Sequence, residues 1–179
     1  MRTSLILFIY DRKNINIPVI KVCRKNINTK YYISTQSLPS VEYEYFDHTA
    51  DIGLKAYGDS LASMFENAAK GMFSIMFETI SEVDPAKVLK VELKEEENQE
   101  QLLIDWLNEL LFLLETEDLV LSRFNVTDIG PKGLKAEVSG SPFDPQVHRY
   151  KTEVKSATYH MLEIGRENDK YFGRILFDI

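Results

Sequence analysis

Two stretches of the chain repeat their apolar residues at the three- and four-residue spacing of an amphipathic helix. The first follows Asp59 and Ser60, whose side-chain oxygens can cap a helix N-terminus, and the second follows Asn98. The apolar positions are Leu61, Met64, Phe65, Ala68, Met72, Ile75 and Met76, then Leu102, Leu103, Trp106, Leu107, Leu110, Leu111 and Leu114. We predict helices over 61–76 and 100–115, each packing one face against a sheet.

Most of the remaining chain beyond residue 41 alternates apolar and polar residues, which is typical of half-buried strands. This pattern predicts strands at 42–46, 54–57, 89–93, 119–129, 134–138, 153–163 and 171–177. Residues 130–133 and 166–169 are rich in turn formers, as expected for antiparallel hairpins. The order of elements therefore predicts an α+β fold, a mainly antiparallel sheet covered on one face by two amphipathic helices.

Composition places the chain among ordinary globular proteins. It has 179 residues, of which 44% are apolar and 27% charged, enough for one compact domain. The single cysteine, Cys23, excludes an internal disulfide and a four-thiolate zinc site, and it favours a reducing, intracellular location. The apolar run at 5–10 is too short to span a bilayer, so we expect no membrane association.

Charge is segregated along the chain. Residues 1–40 contain seven basic side chains and one acidic side chain, a net +6, whereas the whole chain carries −7 and residues 41–179 therefore −13. We predict a basic extension over 1–40, outside a core domain of residues 41–179. Two extra strands, an organelle transit peptide, a poorly ordered extension and a basic arm for RNA are the alternatives for this segment. The acidic body argues against sequence-specific nucleic-acid binding.

Motifs of nucleophilic catalysis and of zinc binding are missing from the sequence. There is no Gly-x-Ser-x-Gly elbow, no phosphate-binding glycine loop and no His-Glu-x-x-His pair. The three histidines, His48, His148 and His160, stand far apart along the chain. The residues thus give little support to an enzyme.

The predicted loop at 48–53 concentrates polar groups between the first two strands of the core domain. His48, Thr49 and Asp51 supply an imidazole, a hydroxyl and a carboxylate where the chain turns, and such loops often carry function. Ordinary turn chemistry is the alternative, because Asp51 can accept hydrogen bonds from backbone amides and Gly53 can relax the turn.

The chain end is a second concentration of charge. If the last strand reaches the terminus, the Asp178 carboxylate lies beside the terminal carboxylate of Ile179, and the two repel unless they are solvated or bridged by a cation. Oxygen donors suit Ca²⁺, Mg²⁺ or Mn²⁺ rather than zinc. A frayed, solvated end is the alternative. A three-carboxylate site with Asp51 requires the two segments to meet in the fold.

Residues 151–160 mix charge with a β-type run. Lys155 in this stretch can neutralise a carboxylate or a phosphate. A strand with one solvated face explains the same pattern.

Four motifs together resemble the archease family. They are His-Thr-Ala-Asp-Ile-Gly at 48–53, Ser-Pro-Phe-Asp-Pro at 141–145, Lys-Thr-Glu-Val-Lys at 151–155 with Thr-Tyr-His at 158–160, and Phe-Asp-Ile at 177–179. The helix at 98–115, with Trp106 and Leu107 inside its leucine-rich run, is also similar to the second helix of that family. The departures are the extension at 1–40 and the pair Ser156-Ala157, where the family more usually has Ala-Ile.

The resemblance implies an accessory protein rather than an enzyme. Archease activates RtcB-type tRNA-splicing RNA ligases, which join RNA ends through a guanylated histidine of the ligase with Mn²⁺. It promotes ligase guanylylation and multiple turnover, and it broadens nucleotide use. The resemblance also implies metal ligands at Asp51, Asp178 and Ile179, here called the acidic tip. We expect a divalent cation there, Ca²⁺ in the isolated protein with Mg²⁺ or Mn²⁺ as alternatives.

On this interpretation the acidic tip docks at the metal- and GTP-binding mouth of the ligase, in the cytoplasm or another intracellular compartment. His48, Lys151 and Lys155 are candidates for the same docking face. A metal-dependent phosphate-ester hydrolase is the alternative, using the same carboxylates with His48 or His160 as general acid or base. A chaperone or RNA-binding module is a third possibility, disfavoured by the acidic body.

Overall fold

A computed structural model of the chain describes the strands Leu5–Ile9, Val19–Lys25 and Tyr31–Gln36 and residues 41–49, 51–78, 87–94 and 98–179. The chain divides into two compact units, Met1–Val41 and Glu42–Ile179.

The first unit contains three strands. They are β1 (Leu5–Ile9), β2 (Val19–Lys25) and β3 (Tyr31–Gln36), paired antiparallel in the order β1-β2-β3. Strand β1 lies within the apolar run at 5–10, and the segment has three strands where one alternative from the sequence was two extra strands. The other residues of 1–40 lie outside the described part of the chain, and a transit peptide or an RNA-binding arm stays a prediction.

The second unit contains seven strands and two helices among its described residues. They are β4 (Tyr43–Asp47), β5 (Asp51–Gly58), α1 (Leu61–Met76), β6 (Lys87–Leu93), α2 (Gln99–Glu117), β7 (Leu119–Gly130), β8 (Gly133–Pro142), β9 (Ser156–Glu167) and β10 (Lys170–Asp178). These strands form two antiparallel sheets, ordered β4-β5-β10-β9 and β6-β8-β7. The predicted α+β class is confirmed, with two sheets instead of one. Strands β6, β7 and β8 form their own sheet, and the chain returns to the first sheet at β9.

Helix α1 begins as its sequence predicts. Ser60 accepts a hydrogen bond from the backbone N–H of Ser63 at 3.1 Å, and the Ser63 hydroxyl oxygen accepts in return from the backbone N–H of Ser60 at 3.0 Å. This reciprocal pair satisfies two amide groups that a helix N-terminus otherwise leaves free. The predicted stripe from Met64 to Met76 is buried, while Leu61 at its start is half-buried.

Helix α2 buries a leucine-rich face. The side chain of Asn98 caps it by accepting from the backbone N–H of Gln101 at 2.8 Å. Every apolar residue predicted to line this face is buried. Trp106 donates its indole N–H to the carbonyl of Phe65 at 3.1 Å and thereby joins α2 to α1. Among the described residues, no helix is long and apolar enough to cross a membrane.

A glycine allows α1 to approach the four-stranded sheet closely. A Cβ atom at Gly71 would lie 2.6 Å from the side chain of Leu54 on β5, which is fully buried. Tyr45 on the edge strand β4 donates its hydroxyl to the carbonyl of Gly71 at 3.0 Å. The helix therefore fits against the sheet at the strand that also carries Asp51.

Three strand boundaries differ from the prediction in ways that matter for function. The prediction began β5 at residue 54, but the strand starts at Asp51, because the ladder with β10 continues to that residue. Strand β10 likewise extends to Asp178. The prediction of 153–163 for β9 was wrong at both ends. Residues 153–155 alternate like a strand, yet β9 begins only at Ser156. Just before this segment, an isolated antiparallel bridge pairs Tyr150 with Phe77, and the backbone N–H of Lys151 donates to the carbonyl of Met76 at 2.8 Å.

Strand β9 contains a bulge of four residues. Thr158 pairs with Leu176 and Glu163 pairs with Arg174, so four residues of β9 stand opposite Ile175 alone. Met161 inside the bulge has φ 55°, the left-handed conformation that a bulky residue rarely adopts. The bulge turns Tyr159 and His160 outward, and both are exposed.

Candidate metal-binding and docking tip

The sheet register brings the two predicted aspartate ligands together. Asp51, the first residue of β5, stands directly opposite Asp178, the last residue of β10. Directly opposite residues of antiparallel strands project from the same face, with Cβ atoms about 4.5–5.5 Å apart. The start of β5 and the end of β10 therefore meet, as the acidic tip requires, and their two carboxylates lie on one face of the sheet.

Lys155 holds the chain end beside this pair. Its backbone N–H donates to the carbonyl of Asp178 at 2.9 Å, and its ammonium donates to a terminal carboxylate oxygen of Ile179 at 2.8 Å. Asp178, Ile179 and Lys155 are all exposed. The terminus is thus anchored and accessible, which differs from the frayed end considered as an alternative.

One histidine borders Asp51, and a second histidine contacts the first. The Nδ1–H of His48 donates to Asp51 Oδ2 at 3.3 Å, with about 30% of each side chain exposed. The ring of His160, carried by the β9 bulge, contacts the His48 ring edge-on at a centroid distance of 5.6 Å. His48 therefore lies at the tip as predicted, whereas its role in docking stays a prediction.

Lys151 lies elsewhere. Its ammonium donates to the carbonyl of Ser74 near the end of α1 at 2.9 Å. Among the described residues it makes no hydrogen bond or ion pair to the acidic tip. The structure therefore groups Lys155 with the tip and Lys151 with α1.

Sequence reasoning missed Asn108. Its amide N–H donates to the carbonyl of Ala157 at 3.4 Å, and its oxygen accepts from the backbone N–H of Ala157 at 2.9 Å. The side chain thus completes the outer edge of β9 immediately after Lys155 and Ser156. The available signal was an asparagine between Leu107 and Leu110 on a leucine-rich helix.

The donors at the tip fit a hard divalent cation. The two aspartate carboxylates and the terminal carboxylate of the predicted set offer oxygen atoms, the kind of ligand that Ca²⁺, Mg²⁺ and Mn²⁺ prefer. Across the described residues, no three His, Cys, Asp or Glu side chains gather as a metal site. The predicted set thus depends on the terminal carboxylate as its third ligand.

The Ser-Pro-Phe-Asp-Pro motif belongs to a different region, residues 141–150, called the His148 loop. His148 is only 3% exposed and lies against the rings of Phe77 and Phe143. Its Nδ1 accepts from the backbone N–H of Asp144 at 3.0 Å, so Nε2 carries the proton and donates to the Ser141 hydroxyl oxygen at 3.2 Å. A general base must instead accept the serine proton, so this pair is structural.

Comparisons with known proteins agree with this architecture. The family model described as the archease protein family matches residues 43–179. The curated protein archease of Methanosarcina acetivorans is 39% identical over 142 residues, covering 77% of this chain and 96% of the relative.

Solved structures point the same way. The solution structure of protein 1598 of Methanobacterium thermoautotrophicum is 40% identical and matches with a TM-score of 0.67, covering 77% of this chain and 99% of that one. A crystal structure from Thermotoga maritima, described as an archease and possible chaperone, shares the fold at 20% identity with a TM-score of 0.52, covering 75% of this chain and 94% of that one. The chain belongs to the archease family.

Proposed function

We propose that this protein activates an RtcB-type tRNA-splicing RNA ligase, promoting guanylylation of the ligase and multiple turnover without itself catalysing ligation. The observation that carries the proposal is the pairing of Asp51 with Asp178 beside the anchored terminus of Ile179. The archease family model over residues 43–179 supports the choice of partner.

The acidic tip binds a divalent cation in this proposal. Asp51, Asp178 and the terminal carboxylate of Ile179 supply the ligands, and the cation offsets the repulsion between carboxylates held on one face. Bound metal neutralises charge on nucleotide phosphates, and phosphoryl transfer depends largely on such neutralisation and on positioning.

Lys155 and His48 orient the tip in this proposal. Lys155 binds the chain end through both its backbone and its ammonium group, and His48 donates to Asp51. Both side chains border the carboxylates, so they also contact the ligase when the tip docks. The exposure of Asp178 and Ile179 suits insertion into the site of another protein.

The test is RNA ligation by the matching ligase at substrate excess, with and without the full chain. We expect multiple turnover with the unmodified protein and a loss of activation of about tenfold or more with Asp51→Ala, because even changes to groups that support metal ligands typically cost about 10–100-fold in metal affinity or activity. Adding two glycines after Ile179 moves the terminal carboxylate and should cause a similar loss.

The matched control is Asp128→Ala, which removes an exposed aspartate from β7. It should activate like the unmodified protein. Full activation by Asp51→Ala would contradict the role of the tip, and no activation by the unmodified protein with an active ligase would contradict the choice of partner.

A metal-dependent phosphate-ester hydrolase is the alternative function. His48 beside Asp51, in ring contact with His160, provides groups for acid–base chemistry. Phosphate release from p-nitrophenyl phosphate by the purified protein with Mn²⁺, lost in Asp51→Ala, would favour this alternative.

A further inference from the structure

A groove opens near the acidic tip, between the end of α1, the second half of α2 and the segment 150–154. Its cavity has a volume of about 390 Å³, within the range of about 300–1,000 Å³ usual for ligand sites. Met76, Leu111 and Leu114 form an apolar floor, and Tyr150 forms one wall. We call it the Tyr150 groove.

Large apolar side chains are exposed at this surface. Tyr150 is 54% exposed although its ring contacts Phe77 and Phe143. Phe112 on α2 is 56% exposed and lies three residues before Glu115 of the groove rim, so the two side chains are neighbours on the helix surface. Apolar surface of this kind next to polar residues marks interaction sites on soluble proteins.

The rim of the groove is anionic. Glu115 and Glu153 line it and are exposed, and neither takes part in an ion pair among the described residues. Burial, and then the nearby carboxylates of Asp118, Glu153 and Glu115, raise the pKa of Tyr150 above its ordinary value of 10.0. The ammonium of Lys151, the lysine of the rim, is bound to the carbonyl of Ser74.

We propose that the Tyr150 groove binds a short basic peptide segment of the ligase, with a large apolar side chain in the cavity and lysine or arginine side chains at Glu115 and Glu153. The apolar floor selects the anchor, and the rim carboxylates select the cationic flanks. The identity of the partner rests on the proposed function, whereas the chemistry of the occupant rests on the groove alone.

The groove adjoins the acidic tip along the chain. Residues 150–154 line the groove, and Lys155 next in sequence binds Asp178 and Ile179. Glu153 of the groove rim and Lys155 at the tip are two residues apart, so an extended chain separates them by about 7 Å. One partner can therefore engage both surfaces. The groove then contributes affinity, while the tip contributes the metal-dependent step.

This division of roles predicts separable kinetic effects. With the full chain and the ligase, the double variant Glu115→Lys/Glu153→Lys should raise the concentration needed for half-maximal activation about tenfold or more while the maximal rate at saturation is kept. Asp51→Ala should lower the maximal rate with little change in that concentration. Asp128→Lys, an exposed charge reversal on β7, is the control and should change neither. An unchanged half-maximal concentration in the double variant would overturn the proposal.

A second measurement does not depend on the ligase. A fluorescent nine-residue peptide of lysines and serines with two leucines should bind the full chain, and binding should weaken about tenfold or more in the double variant. The matched peptide with glutamates in place of lysines should not bind. Peptide binding without ligase activation would uphold the groove and refute the proposed partner.

Two results would overturn the proposed peptide-binding role of the groove. One is equal binding of the lysine and glutamate peptides. The other is a concentration-dependent dimer in sedimentation that the double variant abolishes, which would assign the surface to a second copy of the chain. Circular dichroism and thermal unfolding of each variant establish that it is folded.

Discussion

The acidic tip and the His148 loop differ in how far their histidines are buried and hydrogen-bonded. At the tip, His48 is about 30% exposed and makes one hydrogen bond of 3.3 Å to a carboxylate. In the loop, His148 is 3% exposed and both ring nitrogens are hydrogen-bonded, at 3.0 and 3.2 Å. Buried polar groups with every partner in place hold a structure, whereas accessible charges held close together are free to bind.

Further hydrogen bonds strengthen the same contrast. The backbone N–H groups of Val147 and His148 both donate to the carbonyl of Asp144, and Phe143 donates to the carbonyl of Asp118. At the tip, Lys155 holds the last two residues of the chain. Among the described residues outside the strand ladders, only Lys155 hydrogen-bonds to Asp178 and Ile179. We therefore expect mutations to cost stability in the loop and binding at the tip.

The largest effect on stability should come from His148→Ala. It leaves the N–H of Asp144 without a partner and opens a cavity beside Phe77 and Phe143, which should lower the free energy of unfolding by about 2–4 kcal/mol. Urea denaturation measures it. His48→Ala should cost less than about 1 kcal/mol, as for an exposed pair. Equal losses in the two variants would remove the distinction between the regions.

Asn108→Leu tests whether β9 needs the hydrogen bonds that the Asn108 side chain makes to its outer edge. The N–H and carbonyl of Ala157 lose their partner, so the free energy of unfolding should fall by about 1–3 kcal/mol. Asn125→Leu on β7 is the matched control at an exposed position and should stay within about 0.5 kcal/mol. If Asn108→Leu is as stable as this control, Asn108 has no such role.

Asp178→Asn should change the stability of the metal-free protein by only about 0.5 kcal/mol, in the stabilising direction, because it removes repulsion from Asp51. The variant should instead lose metal binding. Added Ca²⁺ should raise the Tm of the unmodified protein in proportion to the logarithm of its concentration above Kd. Asp178→Asn should show no such rise, and Asp128→Asn should show the full one. A retained response in Asp178→Asn would place the ion elsewhere.

The smallest effect concerns the sheet β4-β5-β10-β9 at alkaline pH. A hydrogen bond to Glu167 chiefly raises the pKa of Lys55 above 10.5, and burial chiefly raises the pKa values of Tyr45 and Tyr57 above 10.0. The folded state thus retains protons that the unfolded state releases, so stability is full below these values and falls as pH rises through the raised ones. Urea denaturation at pH 9 and pH 11 measures the fall, and Tyr45→Phe should reduce it. An equal fall in that variant would contradict the contribution of Tyr45.

Much of the fold was predictable from local pattern. The apolar faces of α1 and α2 and the cap at Ser60 follow from residues within a few positions of one another, and the α+β class follows from the order of elements. The boundary of β9 was mispredicted because residues 153–155 alternate like a strand while the chain there joins α1 to the sheet.

The candidate site was predictable only as a set of residues. Asp51, Asp178 and Ile179 were chosen from sequence and resemblance, and their metal binding stays a prediction, as does the docking role of His48, Lys151 and Lys155. An asparagine at 108 within a leucine-rich helix was a local signal, but neither its partner Ala157 nor the groove beside Tyr150 was predictable locally. Each depends on which helix lies against which strand.

The sequence by itself determined the periodicities, the caps and the turns, since these depend on side chains that are neighbours along one helix or strand. Only the tertiary structure decided that Asp51 stands opposite Asp178 and that Lys155 reaches the terminal carboxylate. The physical reason is register, because a slip of one residue between β5 and β10 would turn one set of side chains to the other face of the sheet. That register is maintained by burial of Leu54, Ile175 and Phe177 against the helices.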